Sequence, residues 1–264
     1  MPVITLTSDY GLTDHHVASV KGALIKEMED CHLVDISHLI EPGNFFEAGF
    51  VVRNCYQDFP KGTVHLIAVQ ELVENDRLLV AEIDEHFFIA ADQGMITLIN
   101  PEVKISKVVE VNLRQDKTLF PARDIMTKAA LHIIRGGSMD LLGRRVEDYK
   151  ESTIMRPRIT NEGSVILGSV VYIDNYGNLI TNISRKIFLE ASKDREPEIL
   201  LPRRRTIKKI QDNYFPSSPG SVIALFNSQN LLEIALSRSR GKEYNGANTL
   251  LGIEVQGTIS VSFK

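Results

Sequence analysis

The residues best suited to chemistry sit in short polar turns that close apolar runs. Ser8-Asp9-Tyr10-Gly11 follows the β-rich run 3–7 and sets a carboxylate and an aromatic ring beside flexible backbone. Asp35 and Asp92 also fall at the ends of apolar runs. In an open α/β sheet ligands bind beyond the carboxyl ends of the strands, although Asp at such places also serves turns and helix caps. Further along, Asp174, Tyr176 and Asn178 lie in the segment 173–182 between two strand-like runs. A carboxylate, a ring and an amide suit an ammonium group, a nucleobase face and a nucleobase edge. The same Asp-Asn-Tyr-Gly-Asn run is also a natural hairpin turn. Phe226-Asn227-Ser228-Gln229 offers a comparable set, and equally an Asx or Ser turn. Asp14-His15-His16 raises metal binding, but adjacent histidines on a helix point about 100° apart. Asp14 reads more simply as a helix N-cap, and no metal site is expected.

These turns need elements to carry them. Apolar spacing predicts helices over 14–28, 44–56 and 122–134, the last stopped by Gly136-Gly137. Residues 64–69 read as a buried strand, and 78–83, 86–91 and 95–99 as a β-meander. Strands alternating with helices predict an α/β N-terminal domain, residues 1–150, with a parallel-type sheet and flanking helices. Beyond residue 151 the β-like segments 165–173, 179–183, 198–201, 206–210, 221–226, 231–236 and 250–263 show no strong helical period. They predict a smaller all-β, barrel-like C-terminal domain over 151–264, with 142–158 as the linker. The basic run Arg203-Arg204-Arg205 with Lys208-Lys209 reads as a strand edge protected by charge.

Composition narrows the function classes. The 264 residues are 43% apolar and 24% charged, with a formal net charge of −4. A chain of this size buries about 70–75% of its unfolded surface, so a sizeable core is available and bulk disorder is excluded. No apolar run approaches the ~20 residues needed to span a bilayer, and no signal peptide is readable. Two cysteines cannot build a disulfide framework and point to a cytoplasmic chain with reduced thiols. The mild acidity argues against nucleic acid as a partner. HExxH, P-loop, GxGxxG and GxSxG motifs are absent, which removes support for several enzyme classes.

Taken in order, several segments carry a resemblance. These are residues 4–11 with Asp14 and Lys21-Gly22, Asp35-Ile36-Ser37-His38 with Pro42-Gly43-Asn44, Ala91-Asp92-Gln93-Gly94, Arg123-Asp124-Ile125, 173–182, and Asn227-Ser228 with Leu232-Glu233-Ile234-Ala235. Together they resemble the S-adenosylmethionine hydroxide adenosyltransferase family, related to the fluorinating and chlorinating enzymes that use the same substrate. The resemblance covers nearly the whole chain. It implies an N-terminal α/β domain, a C-terminal barrel-like domain completing the site, and a homotrimer with active sites between subunits. The implied reaction is substitution at ribose C5′ by water or hydroxide, giving adenosine and methionine, with a small nucleoside ligand as partner and no cofactor. By position, Asp9 would hold the ribose hydroxyls, Asp174 the methionine ammonium and Ser228 its carboxylate. Asn178 would read the adenine edge, Tyr176 and Tyr214 would pack on the ring, and Asn227 would support its turn.

The departures concern water activation. The family loop runs Val-Asp-Pro-Gly-Val-Gly and reaches an Arg seven residues after the Asp, with a His in a Phe-His-Gly-Arg-Asp run elsewhere. Here the loop is Val69-Gln70-Glu71-Leu72-Val73-Glu74, and Arg77 keeps the Arg position. The second run is Phe120-Pro121-Ala122-Arg123-Asp124, with Pro121 in the His position. Gln70 can orient water but cannot take its proton, and Pro121 has no side-chain hydrogen bond. Gln70 and Arg77 therefore remain as the candidate catalytic pair. Glu71 or Glu74 substitutes as the base or is an ordinary loop carboxylate. The implied outcome is a weak or altered S-adenosylmethionine hydrolase, with a non-catalytic adenosine- or S-adenosylmethionine-binding protein as the alternative.

Overall fold

The computed structural model describes residues 2–28, 30–72, 77–103, 105–113, 118–160, 163–215, 218–241 and 245–264. The chain forms two compact units, Met1–Ile154 and Met155–Lys264.

The first unit runs β1 (Val3–Ser8), α1 (His16–Glu27), β2 (His32–Ser37), α2 (Phe45–Arg53), β3 (Val64–Ala68), β4 (Leu78–Ile83), β5 (His86–Ala91), α3 (Ile96–Ile99), β6 (Lys107–Val111), α4 (Thr127–Ile134) and β7 (Gly143–Arg145). Its seven strands make one sheet in the order β2-β1-β3-β5-β4-β6-β7. Pairs β1/β2, β1/β3 and β3/β5 are parallel, and β4/β5, β4/β6 and β6/β7 are antiparallel. The parallel half follows from crossovers through α1 and α2, whereas β4 and β5 are joined by the tight Asp84-Glu85 turn.

Both faces of the sheet are covered, so its central strands are apolar throughout. In β3, Val64, Leu66 and Ala68 face a core shared with Val20 and Leu24 of α1 and Ala129 and Ala130 of α4. Ile67 faces a second core with Ala48 and Val52 of α2 and Ile96 and Ile99 of α3. This two-residue alternation sets the register of every loop at the sheet's edge.

Several expectations need correction. Residues 96–99 form the short helix α3 rather than a third meander strand. The apolar run Met95-Ile96-Thr97-Leu98-Ile99 is buried on several sides, and such a run carries no period that separates strand from helix. Leu98 packs so closely on Gly49 of α2 that a β-carbon at Gly49 would lie 2.9 Å from Leu98 Cβ. Helix α1 begins at His16, so His15 holds the cap position. Asp14 acts from one residue further out, accepting from the His16 backbone N–H at 3.4 Å and from its ring at 2.7 Å. The helix expected over 122–134 starts as a π-helical turn, Ala122–Met126, before α4.

The second unit holds β8 (Arg158–Thr160), β9 (Val165–Ile173), β10 (Leu179–Ser184), α5 (Arg185–Ser192), β11 (Pro197–Leu201), β12 (Arg205–Ile207), β13 (Ile210–Gln211), β14 (Val222–Phe226), β15 (Leu231–Leu236), α6 (Ala247–Leu251) and β16 (Thr258–Phe263). The strands follow the order β12-β11-β16-β9-β10-β15-β14-β13, with β8 added on β9. Strand β12 returns against β14, so the sheet curls into a nearly closed barrel. Its interior is filled by Ile166, Val170, Leu179, Ile183, Ile234 and Val261. Helix α5 was not expected from periodicity. Ser184 caps it by accepting from the Ile187 N–H, and Phe188 and Ala191 bury its inner face. The single strand expected over 250–263 is instead α6 followed by β16.

A polar group inside the first unit sets its acid stability. His65, 0% exposed, accepts or donates at 2.8 Å with Thr5 Oγ1 and at 3.1 Å with His86, and stacks on Phe88 with centroids 4.7 Å apart. Burial, aided by the neighbouring His86, lowers the His65 pKa to about 3. Because the folded form protonates far less readily than the unfolded chain, stability falls as pH drops below the ordinary histidine value of about 6.5. Between pH 7 and pH 5 this group should remove about 2 kcal/mol. Urea unfolding of the wild type and a His65→Gln variant at both pH values checks this. Equal losses in the two proteins would show that His65 does not carry the effect.

Candidate functional site

Because β1, β2 and β3 are parallel neighbours, the loops after them leave one edge of the first sheet together. Asp9 ties these loops. Its Oδ2 accepts from the Gly43 N–H at 2.9 Å and from the Gln70 N–H at 3.1 Å. Among the described residues, Oδ1 has no hydrogen-bond partner, so that oxygen is open to a ligand hydroxyl. Gly43 has φ +77°, a backbone region costly for residues with a β-carbon, and the Gln70 side-chain oxygen lies 3.6 Å from where that carbon would be.

Gln70 itself has φ 45°, which is rare for a residue of its kind. The strain is held from both sides. Asp9 takes its N–H, and Gln93 Nε2 donates to its carbonyl and to that of Val69. Glu71 then turns inward, accepting from the Tyr10 hydroxyl on Oε1 and from the Ala122 N–H on Oε2. Tyr10 packs edge-on against Phe120, with centroids 5.8 Å apart. Burial above all raises the Glu71 pKa, and the charge of Asp9 adds to it, while the Tyr10 and Ala122 donors pull it down. Burial and the adjacent Glu71 raise the Tyr10 pKa strongly, so the phenol keeps its proton and donates. Glu74, the other loop carboxylate considered, lies outside the described residues.

Arg77 is engaged elsewhere. Its guanidinium pairs with Asp92 at 3.2 Å, Glu110 at 3.4 Å and Asp148 at 3.2 Å, and donates to the Asp148 carbonyl. Asp92 in turn accepts from the Lys150 N–H at 2.8 Å. Asp35 is likewise occupied, by Lys21 at 2.6 Å and His38 at 3.1 Å, and His38 continues to Ser8 Oγ at 2.7 Å. Of the three aspartates singled out by position, Asp9 is half-buried and, among the described residues, without an ion-pair partner.

In the second unit, the β9–β10 connection is a hairpin turn, and the turn builds a polar cluster at the same time. Asp174 Oδ1 accepts from the Tyr176 and Asn178 N–H groups, both at 2.9 Å, and Oδ2 from the Asn178 side-chain amide at 2.9 Å. Gly177, at φ +76°, closes the turn by donating to the Asp174 carbonyl. Asn178 is buried, whereas Tyr176 is 62% exposed. Asn227 Oδ1 accepts from the Gln229 and Leu231 N–H groups at 3.1 Å, closing its own turn and leaving Ser228 exposed at the tip.

Glu233 joins these pieces, and the sequence reading assigned it no role. It is 2% exposed, and it accepts from Tyr214 OH at 3.0 Å and from Asn227 Nδ2 at 3.1 Å. Burial raises its pKa, and the charge of Asp174 adds to this, against the donors Asn227, Tyr214 and Asn178. The readable signal was a carboxylate inside the otherwise apolar strand Leu231-Leu232-Glu233-Ile234-Ala235-Leu236, on the face it shares with Ala235 and opposite Ile234. Tyr214 is held hydroxyl-first towards Glu233, and burial raises its pKa as well.

One electrostatic property is common to both clusters. Among the described residues, Asp9, Glu71, Asp174 and Glu233 have no Lys, Arg or His ion-pair partner. Their donors are amides and hydroxyls. Carboxylates hydrogen-bonded by neutral donors keep a negative charge that attracts a cationic ligand, and the basic side chain that acts on Glu71 is His16. No group of three or more potential metal ligands occurs among the described residues.

The family model for the SAM hydroxide adenosyltransferase N-terminal domain matches residues 4–143, and that for its C-terminal domain matches residues 168–260. The (R)-S-adenosyl-L-methionine hydrolase of Methanocaldococcus jannaschii is 24% identical over 278 residues, covering 100% of this chain and 97% of that protein. The enzyme of the same name from Thermus thermophilus is 27% identical, covering 93% and 96%. The crystal structure of an uncharacterized conserved protein from Thermotoga maritima superposes with a TM-score of 0.86 at 25% identity, covering 98% of this chain and 99% of that one.

Asp9 should matter for stability independently of any ligand. Asp9→Ala removes two charge-assisted hydrogen bonds and strands two loop N–H groups, a cost of about 2–3 kcal/mol. Urea unfolding checks this; a loss below about 0.5 kcal/mol would mean that the loops hold without the carboxylate.

Proposed function

The chain belongs to the SAM hydroxide adenosyltransferase family, and from that premise we propose that it hydrolyses S-adenosylmethionine to adenosine and methionine. The observation that carries this reading is the set of carboxylates with neutral donors and no cationic partner among the described residues. S-adenosylmethionine offers a sulfonium and an ammonium, the two positive charges that such a set attracts.

In this reading Asp9 Oδ1 accepts from the ribose hydroxyls, and Asp174, backed by Glu233, holds the methionine ammonium. Ser228 binds the methionine carboxylate, Asn178 the adenine edge, and Tyr176 and Tyr214 its face, with Asn227 supporting the turn. Gln70, fixed by Asp9 and Gln93, orients water opposite the sulfur, and Arg77 acts as a positioning residue that anchors the far end of the loop it follows. Attack on C5′ expels neutral methionine sulfur, so the reaction needs neither a general acid nor a cofactor. Alignment and removal of bulk water supply most of the acceleration. The Gln70 amide cannot take a proton, so turnover is slow or altered if Gln70 acts alone.

A second reading is binding without turnover, favoured by the commitment of the Arg77 guanidinium to three carboxylates. The family resemblance further supports a homotrimer, testable by light scattering after size exclusion. The two separate free thiols, Cys31 and Cys55, support a reducing, cytoplasmic setting.

Purified chain incubated with S-adenosylmethionine should release adenosine, measured by chromatography, and should bind the substrate in calorimetry. Asp174→Ala should weaken that binding at least about 30-fold, since it removes one partner of a charge pair. Binding with no adenosine would select the second reading. Undiminished affinity in Asp174→Ala would refute the assignment of the ammonium.

A further inference from the structure

Hydrolysis of a sulfonium releases one proton for each water consumed, and neither Gln70 nor Pro121 can accept it. Asp9 already accepts from the Gln70 N–H and is assigned to the ribose, and the carboxylate that links the two positions is Glu71. It directly follows Gln70 and accepts from the N–H of Ala122, the residue after Pro121. Resting on the hydrolase reading above, we infer that Glu71 is the proton acceptor for the attacking water.

Three features of its setting support this role. First, the side chain is fixed rather than free: Tyr10 holds Oε1 and the Ala122 N–H holds Oε2. Each carboxylate oxygen has a second lone-pair direction, so one acceptor site per oxygen stays available for a water O–H. Secondly, it follows Gln70, whose N–H donates at 3.1 Å to Asp9, the group assigned to the ribose. A base there sits near the sugar whose carbon is attacked. Thirdly, its basicity suits the task. Burial and Asp9 raise its pKa above the ordinary glutamate value, which makes it a stronger base than an exposed carboxylate. The groups that face it are Asp9 and Tyr10 from the loop after β1, His16 at the start of α1, and the Ala122 N–H from the π-helical turn.

The step balances simply. The water oxygen lone pair forms the bond to C5′ as the C5′–S bond breaks and its electron pair goes to sulfur. One water proton passes to a Glu71 oxygen and later leaves to solvent. The products are adenosine, neutral thioether methionine and the released proton. Tyr10 keeps its own proton throughout and stabilises the ionised carboxylate.

A structural role alone, bridging Tyr10 to the start of the π-helical turn, makes different predictions. Glu71→Gln keeps an acceptor for the Ala122 N–H and a donor for the Tyr10 oxygen, so thermal unfolding should change little. The proposal expects its kcat for adenosine formation to fall about 10²–10⁴-fold, with KM within about threefold, and the acid limb of the kcat–pH profile to vanish. Tyr10→Phe removes a donor to the ionised carboxylate, so it should move that limb to higher pH. A Glu71→Gln kcat within about threefold of wild type, or an identical acid limb in Tyr10→Phe and wild type, overturns the assignment and leaves the hydrolase reading standing. Wild-type chain that binds S-adenosylmethionine but forms no adenosine overturns both.

Discussion

One carboxylate oxygen organises the first unit's functional edge. Parallel strands bring the loops after β1, β2 and β3 to a common side, but parallel pairing alone does not join them. Asp9 Oδ2 does so by accepting from Gly43 and Gln70, residues 34 and 61 positions away. Charge-assisted bonds of this kind are about twice as strong as neutral ones, and here they hold Gln70 in a left-handed conformation that its side chain disfavours. With Gln70 so turned, the next residue points its carboxylate to Tyr10 and Ala122. The geometry around Gln70 and Glu71 therefore depends on Asp9, whatever Asp9 does for a ligand.

The second constraint is how the fold treats negative charge. Elsewhere it pairs several acids with bases, Asp92 with Arg77, Asp35 with Lys21 and Glu198 with Lys264, while Asp84 is held by Tyr56 and Asn100. At the two polar clusters it uses hydroxyls, side-chain amides and backbone N–H groups instead. Neutral donors make a partly buried carboxylate tolerable without cancelling its charge. Burial is the main cause of the raised pKa values of Glu71 and Glu233, and their neutral donors oppose it.

Local patterning made much of the fold legible. The helices near 14–28 and 44–56, the buried strand at β3 and the β4–β5 hairpin follow from apolar spacing and turn residues. The change of texture after residue 150 also marked the barrel-like unit. The misreadings have one physical origin. Residues 96–99 are apolar except for Thr97, and α3, α5 and α6 each span eight residues or fewer. A helix that short barely completes two turns, so its period is not distinguishable from that of a strand until its surroundings select it.

The order of short motifs was enough to indicate the family, because it is written in residue identity: Asp9, the 173–182 turn and Asn227-Ser228 stand where the resemblance needs them. The hairpin at Asp174 was legible as well, since its bonds span four residues or fewer. Which groups those side chains meet was decided only by tertiary structure. Arg77 meets Asp148, 71 positions on; Glu71 meets Ala122, 51 positions on; and Tyr214 reaches Glu233 across 19. Such partners depend on which strands become neighbours and on which face each side chain takes. Glu233 lies on the face of its strand opposite Ile234, and one residue of register would exchange the two faces, a choice that no local pattern records.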